Sequence, residues 1–186
     1  MIKAIIFDIT GVLFPHQPWI GERPSKDELM KIKHIGIDIY DKNKMSKEYL
    51  KKKIFEADRP DEELQQIYNS LAIIDEELLE EVMRLKENYD LYIIANEADK
   101  WTDIRKDLSG FEKHFKKVYV SSEIGFKKPN PDVFEYFLED TGLQPAECLF
   151  VDDSERNIEA AQSLGFKIHK YIGFQNFQEV AHSQFM

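Results

Sequence analysis

One cysteine, Cys148, is the only thiol in 186 residues, so no disulfide can form within the chain. A reducing, cytoplasmic setting is the expectation. Cys148 sits in the apolar run Cys148-Leu149-Phe150-Val151, a place for a small buried hydrophobe, not a reactive thiol. Long hydrophobic stretches are also missing. Nothing approaches the roughly 18 apolar residues that span a bilayer, and the opening run Ile2 to Phe7 is too short for a secretory signal and ends in Asp8. Basic charge is in deficit. Lys and Arg number 25 against 35 Asp and Glu, a net charge of −10, which argues against nucleic acid or an anionic membrane as the main partner. The local clusters Lys51-Lys52-Lys53 and Lys116-Lys117 read as solvated helix faces and loop ends. Internal repeats and low-complexity tracts are absent.

What remains is the composition of a folded domain. Apolar residues make up 42% and aromatic residues 12% of the chain, enough for a core without disulfide or metal staples. Residues 1–7 are short, apolar and isoleucine-rich, and predict a buried strand ended by Asp8-Ile9-Thr10-Gly11. Residues 15–71 have another texture. A loop marked by Pro15, Pro18, Gly21 and Pro24 precedes three charged, helix-like stretches. These open at Ser25 (with Glu28 at capping-box spacing), at Ser46 and at Pro60. Together they predict a small helical insertion.

Beyond it the pattern alternates. Helices are predicted over 75–88, 99–108, 131–141, 154–164 and 175–183, and strands over 91–95, 117–120, 149–151 and 166–171. Pro131 opens one helix, and Gly142 and Gly165 close two of them. Such alternation means an α/β fold, a parallel sheet with helices on both faces. Sites in such sheets lie beyond the carboxyl ends of the strands. Asp8, Asn96 and the pair Asp152-Asp153 each follow an apolar strand, so they are expected to converge at one sheet edge. Carboxylates that close repel unless a cation compensates. Oxygen ligands of this kind suit Mg²⁺, and a carboxylate there can also attack phosphorus.

Three segments carry a family resemblance. Phe7-Asp8-Ile9-Thr10-Gly11-Val12-Leu13 is similar to the first motif of the haloacid dehalogenase (HAD) superfamily. The stretch through Ser122, Gly125, Lys128, Pro129, Pro131 and Phe134 is similar to the third. That through Phe150, Asp152, Asp153, Asn157, Ala161 and Gly165 is similar to the fourth. Their order and spacing match over nearly the whole chain. The resemblance implies a Rossmann-like three-layer core of residues 1–14 and 72–186 with strand order 3-2-1-4-5, and a helical cap in 15–71. It implies Asp8 as nucleophile, and Mg²⁺ held by Asp8, Asp152, Asp153 and the backbone carbonyl of Thr10. It implies Lys128 as the cation that neutralises Asp8 and the incoming phosphate. The implied substrate is a small phosphorylated metabolite, taken by a monomer or homodimer, with specificity set in the cap, where Trp19, Arg23 and Lys26 stand out.

Two positions depart from the family pattern. Phosphatases of the superfamily carry a second aspartate two residues after the nucleophile, where this chain has Thr10. The second motif ends in Ser or Thr, where this chain has Ala95 followed by Asn96. Asn96 or a backbone N–H is left as the phosphate donor there, and His16, Glu97 and Asp99 are candidate replacement bases. P-type ATPases also carry threonine two residues after their phosphorylated aspartate, so Thr10 is compatible with a nucleophilic Asp8. The departures also admit a HAD-fold protein that binds without turnover. A metal-independent 2-haloacid dehalogenase is a further reading, against which the pair Asp152-Asp153 argues.

Overall fold

The computed structural model describes residues 1–14, 73–97 and 109–185, with side chains described to Ala181. The expected cap at 15–71 and the expected helix at 99–108 lie outside the described residues. The elements are β1 (Ala4–Phe7), α1 (Glu76–Leu85), β2 (Asp90–Ala95), β3 (Lys117–Val120), α2 (Ser121–Ile124), α3 (Pro131–Thr141), β4 (Cys148–Asp152), α4 (Glu155–Ser163), β5 (Lys167–Lys170) and α5 (Phe174–Phe185), with 3₁₀ turns at Phe111–His114 and Pro145–Glu147.

The five strands are all parallel, in the expected order β3-β2-β1-β4-β5. β1 is buried on both faces, as its unbroken apolar run requires. Side chains alternate across the sheet. Ile5 and Phe7 join a core with Leu78, Val82, Phe111 and Phe177, while Ala4 and Ile6 join another with Phe134, Phe137, Phe150 and Ile158. Edge-to-face aromatic pairs lock both layers, among them Phe14–Phe111 at 5.2 Å and Phe134–Phe150 at 5.2 Å.

Local chemistry sets the helix ends. Asp75 accepts a hydrogen bond from the Leu78 N–H at 3.0 Å and caps α1. α1 stops at Leu85, short of the expected Asn88, because the chain turns over residues 86–88 to enter β2. Asn130 caps α3, Pro131 opens it, and Gly142, at φ 71°, ends it in the left-handed conformation. α2 follows β3 directly, and no sequence pattern announced it. Where β1 ends, Gly11 takes φ 94° and its N–H donates to the Phe14 carbonyl, closing a tight loop. The chain returns at Asp75, whose N–H donates to the Leu13 carbonyl at 2.9 Å. Among the described residues no helix is long and apolar enough to cross a membrane.

His169 on β5 is buried, its ring 5.5 Å from that of Phe177 on α5. Its Nε2 has no hydrogen-bond partner among the described residues. Burial lowers its pKa from the ordinary 6.5. The folded protein therefore resists a proton that the unfolded chain accepts. The stability this contributes is complete above the unfolded pKa and is lost as pH falls through the folded one. Chemical denaturation of wild type and His169→Phe should give stability differences that widen to the variant's advantage below about pH 6.5. Parallel pH profiles would show that His169 does not titrate on unfolding.

Candidate active site

The register of the sheet builds the site. Phe7 pairs with Val151, so Asp8 and Asp152 emerge side by side at the carboxyl ends of two adjacent strands, and the Asp8 N–H donates to the Val151 carbonyl at 2.9 Å. Strand order reverses at β1, which makes this edge the topological switch point of the sheet. Asp8, Asp152 and Asp153 each bring a carboxylate oxygen within 4.8 Å of the others, a group that could hold a metal ion.

Lys128 reaches this cluster from the loop between α2 and α3. Its Nζ donates to Asp8 Oδ1 at 2.6 Å and to Asp152 Oδ2 at 2.8 Å, and the ammonium is buried. It also lies 5.5 Å from the centroid of the Phe150 ring. Burial alone would lower the lysine pKa, but the two carboxylates outweigh it and hold the ammonium above its usual range. Asp8 behaves differently. Desolvation is the largest influence on it, Lys128 opposes that, and Asp152 adds to it, so its pKa rises to about 6.

Asp152 is fully buried and held at both oxygens. Asn157 Nδ2 donates to Oδ1 and to Oδ2, each at 3.0 Å, and the Ser154 N–H donates to Oδ1 at 2.8 Å. The Ser154 contact comes from the N-terminal edge of α4, where backbone N–H groups favour a negative charge. Asn157 belongs to the segment that resembles the fourth motif, yet its work as the holder of Asp152 was not anticipated. The signal for it is its place one turn into a helix that starts beside the acid.

The structure places the residues at both departures. Thr10, in the loop after β1, donates its hydroxyl to Glu97 Oε1 at 2.9 Å. Glu97, one of the candidate replacement bases, thus lies beside Thr10. His16 and Asp99, like Trp19, Arg23 and Lys26, lie outside the described residues. Ala95 is buried in the core at the end of β2 and presents no polar side-chain atom. Asn96 turns its carboxamide to Lys128. Its Nδ2 donates to the Lys128 carbonyl at 2.7 Å, and its Oδ1 accepts from the Lys128 N–H at 2.8 Å.

Comparison with known proteins places the fold and the family. A D-ribitol-5-phosphate phosphatase of Bacteroides thetaiotaomicron is 26% identical over 90% of each chain. The wild-type structure of a HAD family enzyme from the same organism, in complex with magnesium and inorganic phosphate, is 26% identical. It superposes with a TM-score of 0.63 over 91% of this chain and 93% of that one. A predicted HAD-like family hydrolase of Porphyromonas gingivalis superposes with a TM-score of 0.65, at 24% identity, over 99% and 100%. The model of the haloacid dehalogenase-like hydrolase family matches residues 2–165, and the chain belongs to that family.

Proposed function

We propose that this hydrolase is a Mg²⁺-dependent phosphatase or phosphotransferase acting on a small phosphorylated metabolite through a phosphoenzyme on Asp8. The observation that carries the reading is the buried Lys128 ammonium, bonded to Asp8 and Asp152 with Asp153 alongside. A site this rich in carboxylates and cation is suited to a dianionic group brought in with a metal. The magnesium and phosphate bound by the Bacteroides enzyme and the phosphatase named among the relatives support the same reading.

The residues present fit the ion, since the carboxylates of Asp8, Asp152 and Asp153 form one oxygen cluster. With the Thr10 carbonyl they would hold Mg²⁺, which supplies positive charge to the phosphate oxygens. Asp8 attacks phosphorus, forming a carboxyl–phosphate bond as the bond to the leaving oxygen breaks. Water then cleaves that acyl phosphate, returning Asp8 and releasing inorganic phosphate. Lys128 stabilises the charge that gathers on the phosphoryl oxygens. The choice of metabolite falls to residues 15–71, the expected cap.

Thr10 offers no carboxylate to protonate a poor leaving group, so activity should favour substrates that need little acid help. Hydrolysis of p-nitrophenyl phosphate and acetyl phosphate in Mg²⁺ should be lost in Asp8→Asn. Thr10→Asp should gain about 10- to 10²-fold, at or below the lower end of what general acid–base catalysis supplies, because these leaving groups need little acid help. Absence of turnover in all three proteins, with Mg²⁺ and phosphate still bound, would replace the enzyme by a binding protein of the same fold. Halide release from 2-haloacids without Mg²⁺ would replace it by a dehalogenase.

The raised pKa of Asp8 gives a second test. A carboxylate whose folded pKa lies above its unfolded value contributes stability below the unfolded pKa and loses it as pH rises through the folded one. For Asp8 that window runs from 3.8 to about 6. In metal-free protein, Asp8→Asn should therefore gain stability over wild type as pH rises from about 4 to 7, and Mg²⁺ should narrow the gap by stabilising wild type. A stability difference flat across this range would show that Asp8 ionises normally.

A further inference from the structure

Lys128 must put its ammonium between two acids from a loop, and a loop does not by itself fix a backbone. The two hydrogen bonds from Asn96 supply the missing constraint. They take both the N–H and the C=O of Lys128, at 2.8 and 2.7 Å, from a residue 32 positions earlier in the chain. A carboxamide that holds both backbone groups of one residue fixes that residue's position and orientation, as a partner strand does. Asn96 itself is anchored, because it directly follows β2, whose last residue, Ala95, pairs with Val120 of β3 and is buried. Asn96 is exposed. Water could satisfy an exposed carboxamide, so burial does not force these contacts, whereas Lys128 is a buried residue whose backbone groups need partners.

We infer that Asn96 is a positioning residue, which acts on phosphate through Lys128 by clamping the lysine's backbone, and is not itself the phosphate donor that replaces the hydroxyl missing at Ala95. The inference takes its ligand from the phosphatase reading above.

The test is a double-mutant cycle of Asn96→Ala and Lys128→Met. Two readouts are taken: Mg²⁺-dependent kcat/KM on p-nitrophenyl phosphate, and affinity for inorganic phosphate by calorimetry in Mg²⁺. Circular dichroism melts identify the folded variants. If Lys128→Met does not fold, Lys128→Arg takes its place under the same criterion. Asn96→Ala should weaken both readouts about tenfold in the wild-type background and less than about twofold once Lys128 is replaced, the non-additivity of residues that act as a unit. Equal losses in both backgrounds would overturn the inference, since a direct donor or a general loosening of the fold adds independently of Lys128. So would an Asn96→Ala protein within about twofold of wild type. Phosphate binding without turnover would end the phosphatase reading and leave the coupling to be decided on affinity alone. No phosphate binding would overturn both.

Discussion

The arrangement depends on one buried cation. Lys128 lies between Asp8 and Asp152, and without it two desolvated carboxylates would face each other across adjacent strands. Such a pair costs several kcal/mol when a single partner is removed, because the charge left behind has no water to turn to. The cluster is nonetheless not neutral, with three acids to one lysine. Burial, with a smaller push from Asp152, raises the Asp8 pKa against the pull of Lys128. Asp152, held by Asn157 and the Ser154 N–H, has three further hydrogen bonds to its oxygens. The two acids are thus treated unequally. Asp152 is fixed at both oxygens, while Asp8 meets Lys128 through Oδ1.

Much of this was legible in the sequence because parallel strands buried on both faces read as plain apolar runs. The acids that end those runs can be placed without knowing any long-range contact. Asp8 after Phe7 and Asp152 at the end of Cys148–Asp152 fall at one edge by that logic alone, and the helix ends at Pro131 and Gly142 follow from proline and glycine chemistry. The strand order came from the resemblance to the family.

The contacts that refine the site were not legible, and the reason is physical. A carboxamide advertises neither its partner nor whether it gives or takes a hydrogen bond. Asn96 read as a possible donor to phosphate, whereas in the fold both ends of its amide meet the backbone of Lys128. Glu97 was one of three candidate replacement bases, and its hydrogen bond to Thr10 spans 87 positions, a contact that no local pattern marks. The short helix Ser121–Ile124 begins at Val120 without any side-chain cap, so no local pattern marks its start.

The loop after β1 has a wider consequence. Phe14, the last described residue before the segment 15–72, bridges to Thr10, and beyond that segment the Asp75 N–H meets the Leu13 carbonyl. Exit and entry are thus stitched together by the core's own hydrogen bonds. A segment joined at two neighbouring points resembles an attachment plugged into a socket. Doubling its length adds only about 0.6 kcal/mol of closure entropy. The length and sequence of what joins these two points can therefore change while the sheet and the Asp8–Lys128 pair stay as they are.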